Sequence, residues 1–221
     1  MYQSFIKRTL DIVGSALAII VLSPVLLILS VLGAVMMHGN PFYLQKRAGK
    51  IDSRTNKEKT INLIKFRSMS NAKDAQGKLL PDKDRLNKYG RIIRATSLDE
   101  LPSLLNIFIG DISFVGPRPL SVKYLPYYTK EEHHRHDVRP GLTGLAQING
   151  RNGLSWEQKF KYDLQYIKTL SFAGDIRIMF GTVRKVLQRE GIGQGEKMPV
   201  SLYDERKNWI LKPDGAVDPN K

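Results

Sequence analysis

The stretch IVGSALAIIVLSPVLLILSVLGAVMM, residues 12–37, runs for 26 residues without a charged side chain. About 20 apolar residues carry a helix across the hydrocarbon of a bilayer, so this segment is read as lipid-embedded. It exceeds the roughly 7–15-residue apolar core of a cleaved signal peptide. Ser23-Pro24 falls at its middle. Proline removes a backbone donor and clashes with the preceding turn, and in lipid the freed carbonyl needs another donor, such as the Ser23 hydroxyl. Lys7 and Arg8 precede the run, and Lys46, Arg47 and Lys50 follow it. Positive charge on both flanks gives no inside–outside asymmetry, the pattern of a hairpin that enters and leaves on the cytoplasmic side. A spanning helix stays equally open. On either reading the remaining chain is cytoplasmic.

Outside this run the chain is strongly basic. Of 221 residues (25.1 kDa), 35 are Lys or Arg against 21 Asp or Glu, a formal charge of +14 and a pI near 9.9. Residues 1–40 contribute only Lys7, Arg8 and Asp11, so anchor and charge are separate modules, and the usual partner of the charged module is anionic. The length allows one ordinary domain plus an appendage. The absence of cysteine excludes a disulfide framework, a thiolate metal site and a cysteine nucleophile.

Beyond the anchor, short strand-like runs precede helices. Pro41–Gln45 and the alternating Thr60–Met69, separated by the polar loop at 50–59, predict a β-hairpin. Ser97 with Glu100 reads as a capping box that opens a helix with Leu101, Leu104, Leu105 and Phe108 on one face, closed by Gly110. Ser155 with Gln158 opens a second, striped by Trp156, Phe160, Leu164, Ile167 and Leu170. A third begins at Asp175 and sets Ile176, Met179, Val183, Val186 and Leu187 at helical spacing. Stiff Gly/Pro loops rich in arginine lie between them, at 114–119, 138–144 and 149–152. Residues beyond about 191 read as a peripheral tail.

Several chemistries lack their usual marks: there is no phosphate-binding P-loop, dinucleotide fingerprint, nucleophile elbow or zinc-protease motif. His133, His134 and His136 are too closely spaced to chelate from one helix face. Asp82-Lys83-Asp84 matches the metal-binding D-x-D of many glycosyltransferases, and equally a charged turn after Pro81. What remains is the carboxylate pair Asp99-Glu100 beside basic residues at Arg91 and Arg94, with Lys65, Arg67, Arg118, Arg139 and Arg151 as further cations expected to converge. The pair reads either as an ordinary helix cap or as part of a phosphate site whose carboxylate binds Mg²⁺ or attacks phosphorus.

Four segments carry a resemblance: KFRSM at 65–69, SLDELPSLLNIFIGDISFVGPRPL at 97–120, RHDVRPGLTGLAQINGRN at 135–152 and SWEQKFKYD at 155–163. They resemble the bacterial sugar transferases, the monotopic phosphoglycosyl transferases that act on polyprenol phosphate, and most closely the small PglC-like members. The resemblance implies an α+β fold with three parts. These are a re-entrant helix-turn-helix at 1–40 broken at Ser23 and Pro24, a mostly helical cytoplasmic catalytic domain with a small β-hairpin or sheet at 41–190, and a tail at 191–221. It implies transfer of a sugar 1-phosphate from a UDP-sugar to undecaprenyl phosphate, with release of UMP, as the first membrane step of glycoconjugate biosynthesis. Asp99 matches the nucleophile that becomes a phosphosugar ester, and Glu100 its neighbour in Mg²⁺ or proton handling, so both are implied metal ligands. Arg94, Arg118 and Arg151, with Lys65 and Arg67 less closely, match phosphate-binding positions.

The implied partners are the donor, the lipid acceptor and inner-membrane lipid, with no nucleic acid; self-association as a homodimer stays open. The implied location is the cytoplasmic face of a bacterial inner membrane. The pattern at 150–160 is similar to members that use UDP-N,N′-diacetylbacillosamine, with related acetamido sugars open. Tyr124, Tyr127 and Tyr128 with Lys123 read as an interfacial belt or as ordinary surface aromatics. The loop at 50–64 is longer than in typical members, and Ala48 replaces a common proline. Two rivals are a membrane-tethered glycosyltransferase using Asp82 and Asp84, which would release UDP, and a nonenzymatic basic module that binds lipid or nucleic acid.

Overall fold

The computed structural model describes residues 2–150, 153–188, 200–207, 210–211 and 217–218. It is mostly helical, with little strand and one long apolar helix. That helix, α1 (Lys7–Met36), continues a π-helical turn at Tyr2–Ile6. It runs unbroken through Pro24, where a turn was expected. The Ser23 hydroxyl donates to the Ile20 carbonyl at 2.7 Å, the carbonyl whose ordinary donor Pro24 lacks.

One face of α1 is docked along its whole length. Lys7, Asp11, Ser15, Leu29 and Gly33 are buried, with Ala18, Ile19, Leu22 and Leu26 packed between them, a spacing of three and four that keeps one stripe inward. At one end Lys7 pairs with Asp175, and Arg8 donates to the Ile107 and Phe108 carbonyls, both at 2.7 Å. At the other end the Tyr89 hydroxyl donates to the Leu29 carbonyl at 3.1 Å and the Asn87 amide to that of Met36 at 3.2 Å. Gly33 permits the approach: a Cβ there would lie 2.9 Å from the Tyr89 hydroxyl. The opposite face exposes Leu17, Ile20, Val21, Leu27, Ile28, Val31 and Val35.

The expected hairpin forms from β1 (Phe42–Asp52) and β2 (Lys57–Phe66), antiparallel, with Tyr43 opposite Lys65, Arg47 opposite Ile61 and an irregularity between Ala48 and Ile51. Strand alternation turns Ile61, Leu63 and Lys65 to one side. Two short helices follow, α2 (Asp82–Arg85) and α3 (Lys88–Ala95), and then α4 (Ser103–Ile109), which ends at Gly110 with φ 95°. Next, β3 (Ser113–Val115) pairs in parallel with β4 (Gly141–Thr143), and α5 (Lys130–His133) lies in the connection between them. The chain continues through α6 (Leu145–Asn149), α7 (Trp156–Lys168), α8 (Phe172–Leu187) and α9 (Leu202–Arg206), with a last pair, β5 (Ile210–Leu211) and β6 (Val217–Asp218).

The Ser155–Gln158 capping box opens α7 as expected, and Trp156 and Phe160 are buried. Two apolar stripes differ from expectation. On α8, Ile178 is buried while Phe172, Met179, Phe180 and Val183 are exposed; on α4, Leu104 and Ile107 are buried while Leu105, Phe108 and Ile109 are exposed. Periodicity identifies an apolar face but not whether protein or lipid covers it. Tyr128 is fully buried, and Tyr124 and Tyr127 pack against Trp156 and Tyr203, so these tyrosines form no exposed belt. Within the span read as a tail, α9 docks on the domain and buries Leu202 and Arg206.

Candidate active site

Asp99 and Glu100 lie on a single 3-10 turn, Leu98–Glu100, between α3 and α4. The expected capping box does not form. Ser97 makes no side-chain cap and adopts φ 58°, a left-handed conformation that costs a non-glycine residue roughly 1–2 kcal/mol. α4 begins only at Ser103. Glu100 is therefore free of the cap role and accepts at Oε1 from Lys65 Nζ at 2.6 Å and from Arg118 at 2.8 Å. Lys65 is delivered by the inward face of β2. Arg118 comes from the Gly116-Pro117-Arg118 loop after β3, where Gly116 and Gly141 approach so closely that no Cβ fits at either.

The two carboxyls sit in opposite electrostatic states. Burial alone would raise the Glu100 pKa, but the Arg118 and Lys65 cations outweigh it and hold the group down at about 2. Asp99 is pushed up to about 6, first by burial and then by the Glu100 charge, against the pull of Lys65, Arg118 and Arg94. Among the described residues its carboxylate accepts no hydrogen bond. Burial lowers the Lys65 pKa, whereas Glu100 raises that of Arg118. A pocket of about 10 Å³, room for one water, lies behind Glu100 against Arg47, Lys65, Arg118 and Leu142. Perturbed carboxyls among paired cations are the usual signature of a reactive site.

Residues 2–189 match the family model for the bacterial sugar transferase. The chain belongs to that family. It is 46% identical over 190 residues to the uncharacterized sugar transferase EpsL of Bacillus subtilis, covering 86% of this chain and 91% of that protein. It is 36% identical over 205 residues to the undecaprenyl-phosphate galactose phosphotransferase of Salmonella typhimurium, covering 85% and 41%. It is 38% identical over 189 residues to the UDP-glucose:undecaprenyl-phosphate glucose-1-phosphate transferase of Klebsiella pneumoniae, covering 81% and 39%. The chain thus spans less than half the length of these two larger relatives.

In this sugar transferase the expected site residues divide. Lys65, Asp99, Glu100 and Arg118 converge. Arg94 acts on Asp99 through its charge while its guanidinium contacts Met69 Sδ at 3.8 Å. The Arg67 side chain forms no ion pair with either carboxylate among the described residues, and Arg151 lies outside them. Arg139 is elsewhere, donating to the Gly110 carbonyl at 3.1 Å. Arg47 was noted only as a flanking charge, yet it is largely buried beside Arg118, its pKa lowered first by burial and then by that neighbour. Its pairing with Ile61 across the hairpin, which puts it on the face of Lys65, is the signal that could have found it.

The other candidates have separate partners. His133 pairs with Glu58, His134 with Asp137 and His136 with the Gly49 carbonyl. Asp82 pairs with Arg85 on one exposed turn. Trp156 and Phe160 of the 150–160 pattern are core side chains, and Arg151 and Asn152 of the same pattern lie outside the described residues. Asp99 and Glu100 are joined by no third metal-ligating side chain among the described residues. That donor set fits Mg²⁺ in its common mode, with one or two carboxylates and the remaining ligands from water and substrate phosphates.

Proposed function

We propose that this protein transfers a sugar 1-phosphate from a UDP-sugar to undecaprenyl phosphate, releasing UMP, in two displacements through Asp99. In the first, an Asp99 oxygen bonds to the phosphorus nearer the sugar while the bond from that phosphorus to the UMP oxygen breaks. In the second, a phosphate oxygen of the lipid attacks the same phosphorus and Asp99 leaves as carboxylate. Covalent catalysis of this kind divides one difficult transfer into two. The observation that carries the reading is the asymmetry of the pair: Glu100 is clamped by two cations, while Asp99 accepts no hydrogen bond among the described residues and is raised to about 6. Such a carboxylate is ionised at neutral pH yet more basic than an ordinary aspartate. Lys65, Arg118 and Arg94, with Arg47 behind them, supply the charge that a transferring phosphoryl group requires. Mg²⁺ held by Asp99 and Glu100 would neutralise pyrophosphate charge.

The same reading seats the protein in one leaflet of the bacterial inner membrane, with the catalytic domain on the cytoplasmic side. A helix of 30 residues is about 45 Å long, more than the roughly 30 Å hydrocarbon thickness. Both ends of α1 dock on one domain, so a perpendicular helix would draw that polar domain through the bilayer. A re-entrant path bent near Pro24 avoids this. The exposed apolar residues of α4 and α8 then face lipid as well. The names of the Salmonella and Klebsiella relatives support a UDP-sugar donor and a polyprenyl acceptor.

The test is nucleotide release by detergent-solubilised protein given Mg²⁺, undecaprenyl phosphate and a panel of UDP-sugars: glucose, galactose, N-acetylglucosamine, N-acetylgalactosamine and N,N′-diacetylbacillosamine. UMP with one donor supports the reading and names the sugar. UDP, or no nucleotide, overturns it.

A further inference from the structure

Beyond the family-matched residues 2–189, the segment 200–207 is seated in a specific slot. Leu202 is fully buried among Tyr128, Trp156 and Phe160, and the Trp156 indole donates to the Val200 carbonyl at 2.8 Å. Arg206 forms two bonds to the Glu132 carboxylate, at 2.6 and 2.7 Å, and another to the Tyr127 carbonyl at 2.7 Å. Its guanidinium lies 5.2 Å from the Phe160 ring centroid, and that of Arg135 lies 5.7 Å from the same ring.

Arg135 is the other half of this unit. It is buried, binds Asp163 of α7 through two nitrogens at 3.1 and 2.7 Å, and donates at 2.8 Å to the main-chain carbonyl of Arg118. Arg118 is the residue whose guanidinium clamps Glu100. Two residues further on, the Leu120 carbonyl accepts from the Ala48 amide at 3.0 Å. The loop bearing Arg118 is thus held from one side by β1 and from the other by Arg135, which packs through Phe160 against the docked segment.

We propose that Arg135 is a positioning residue for Arg118, and that residues 200–207 are a clasp that keeps Arg135 in place for nucleotide-phosphate binding. Only a fork of several donors serves Asp163 and the Arg118 carbonyl together, so lysine at 135 keeps the charge and loses the span. Removal of the clasp opens the slot beside Phe160 and loosens the same loop. The inference rests on the phosphate role assigned to Arg118.

The experiment measures UDP binding and donor kinetics with the full chain in detergent, comparing wild type with Arg135→Lys, Leu202→Ala, Arg206→Lys and Arg118→Ala. Arg135→Lys and Leu202→Ala are expected to weaken UDP binding and raise the donor KM about tenfold. Arg206→Lys, which keeps the charge facing Glu132, loses less. In the double variant Arg118→Ala/Arg135→Lys, the second change adds nothing. A merely structural role lowers the active fraction while KM and UDP affinity stay fixed, and that result overturns the proposal, as does additivity in the double variant. Wild-type protein that neither binds UDP nor releases UMP overturns the phosphotransfer reading instead.

Discussion

Lys65 and Glu100, 35 residues apart in sequence, meet at 2.6 Å, with both side chains mostly shielded from solvent. Breaking a buried pair removes compensation from the charge left behind, and here Glu100, which also faces Asp99, would keep Arg118 alone as its cationic partner. Lys65→Met is expected to reduce kcat/KM for the donor by about 10²–10³ through lost phosphate stabilisation. Steady-state kinetics with UMP detection checks this; a loss below threefold would assign Lys65 to structure alone.

The state of Asp99 fixes the pH response. Attack requires the carboxylate, so the rate should fall tenfold per pH unit below about 6 and level off above it. Stability moves the other way. A carboxyl raised above its unfolded value favours the folded state at acid pH, and that contribution disappears as pH rises through about 6. Asp99→Asn is therefore expected to abolish turnover and the phosphosugar adduct. It should also stabilise the protein at pH 8 by on the order of 1–2 kcal/mol, with the gain vanishing near pH 4. Paired rate and melting profiles over pH 4–8 test both halves, and a destabilised Asn variant at pH 8 would contradict the assigned electrostatics.

The hairpin and the Ser155 cap were legible because each rests on residues within a few positions of one another, and Ser23 was legible as a donor because Pro24 names the carbonyl it frees. The Ser97–Glu100 box was misread: its local pattern is sound, but Lys65 and Arg118 compete for the same carboxylate from distant parts of the chain. The exposed faces of α4 and α8 misled for another reason. Lipid and protein core ask for the same side chains, and only the packed structure tells them apart. Arg47 required the strand register, and the seat of Leu202 required the slot formed by Tyr128, Trp156 and Phe160.

Lys7 and Asp175 are both buried and pair directly, with Asp175 also accepting from the Tyr2 and Tyr166 hydroxyls. Removing one partner strands a buried charge at the point where α1 meets α8. Asp175→Ala is expected to destabilise the protein by about 3–5 kcal/mol, while the double replacement Lys7→Met/Asp175→Leu should recover much of that loss. Thermal unfolding in detergent measures both. A double variant no more stable than the single would mean that the Tyr2 and Tyr166 hydroxyls, not the charge, define the joint.

The absence of native cysteine makes the path of α1 directly measurable. Ser4→Cys and Lys46→Cys place single exposed thiols just outside the two ends of the helix. A straight span would put these thiols on opposite faces of the membrane, and a membrane-impermeant maleimide added to intact spheroplasts would label one of them. The docking of both helix ends on one domain argues for the other outcome. Neither thiol should react until the cells are opened, and then both should react. Pro24→Ala restores the missing donor to the Ile20 carbonyl and removes the ring clash, so it favours a straighter helix. With the domain still gripping both ends, the strain should appear as weaker docking and a lower melting temperature. If the variant instead exposes one thiol to the outside at unchanged stability, Pro24 sets the topology and the docked face of α1 does not.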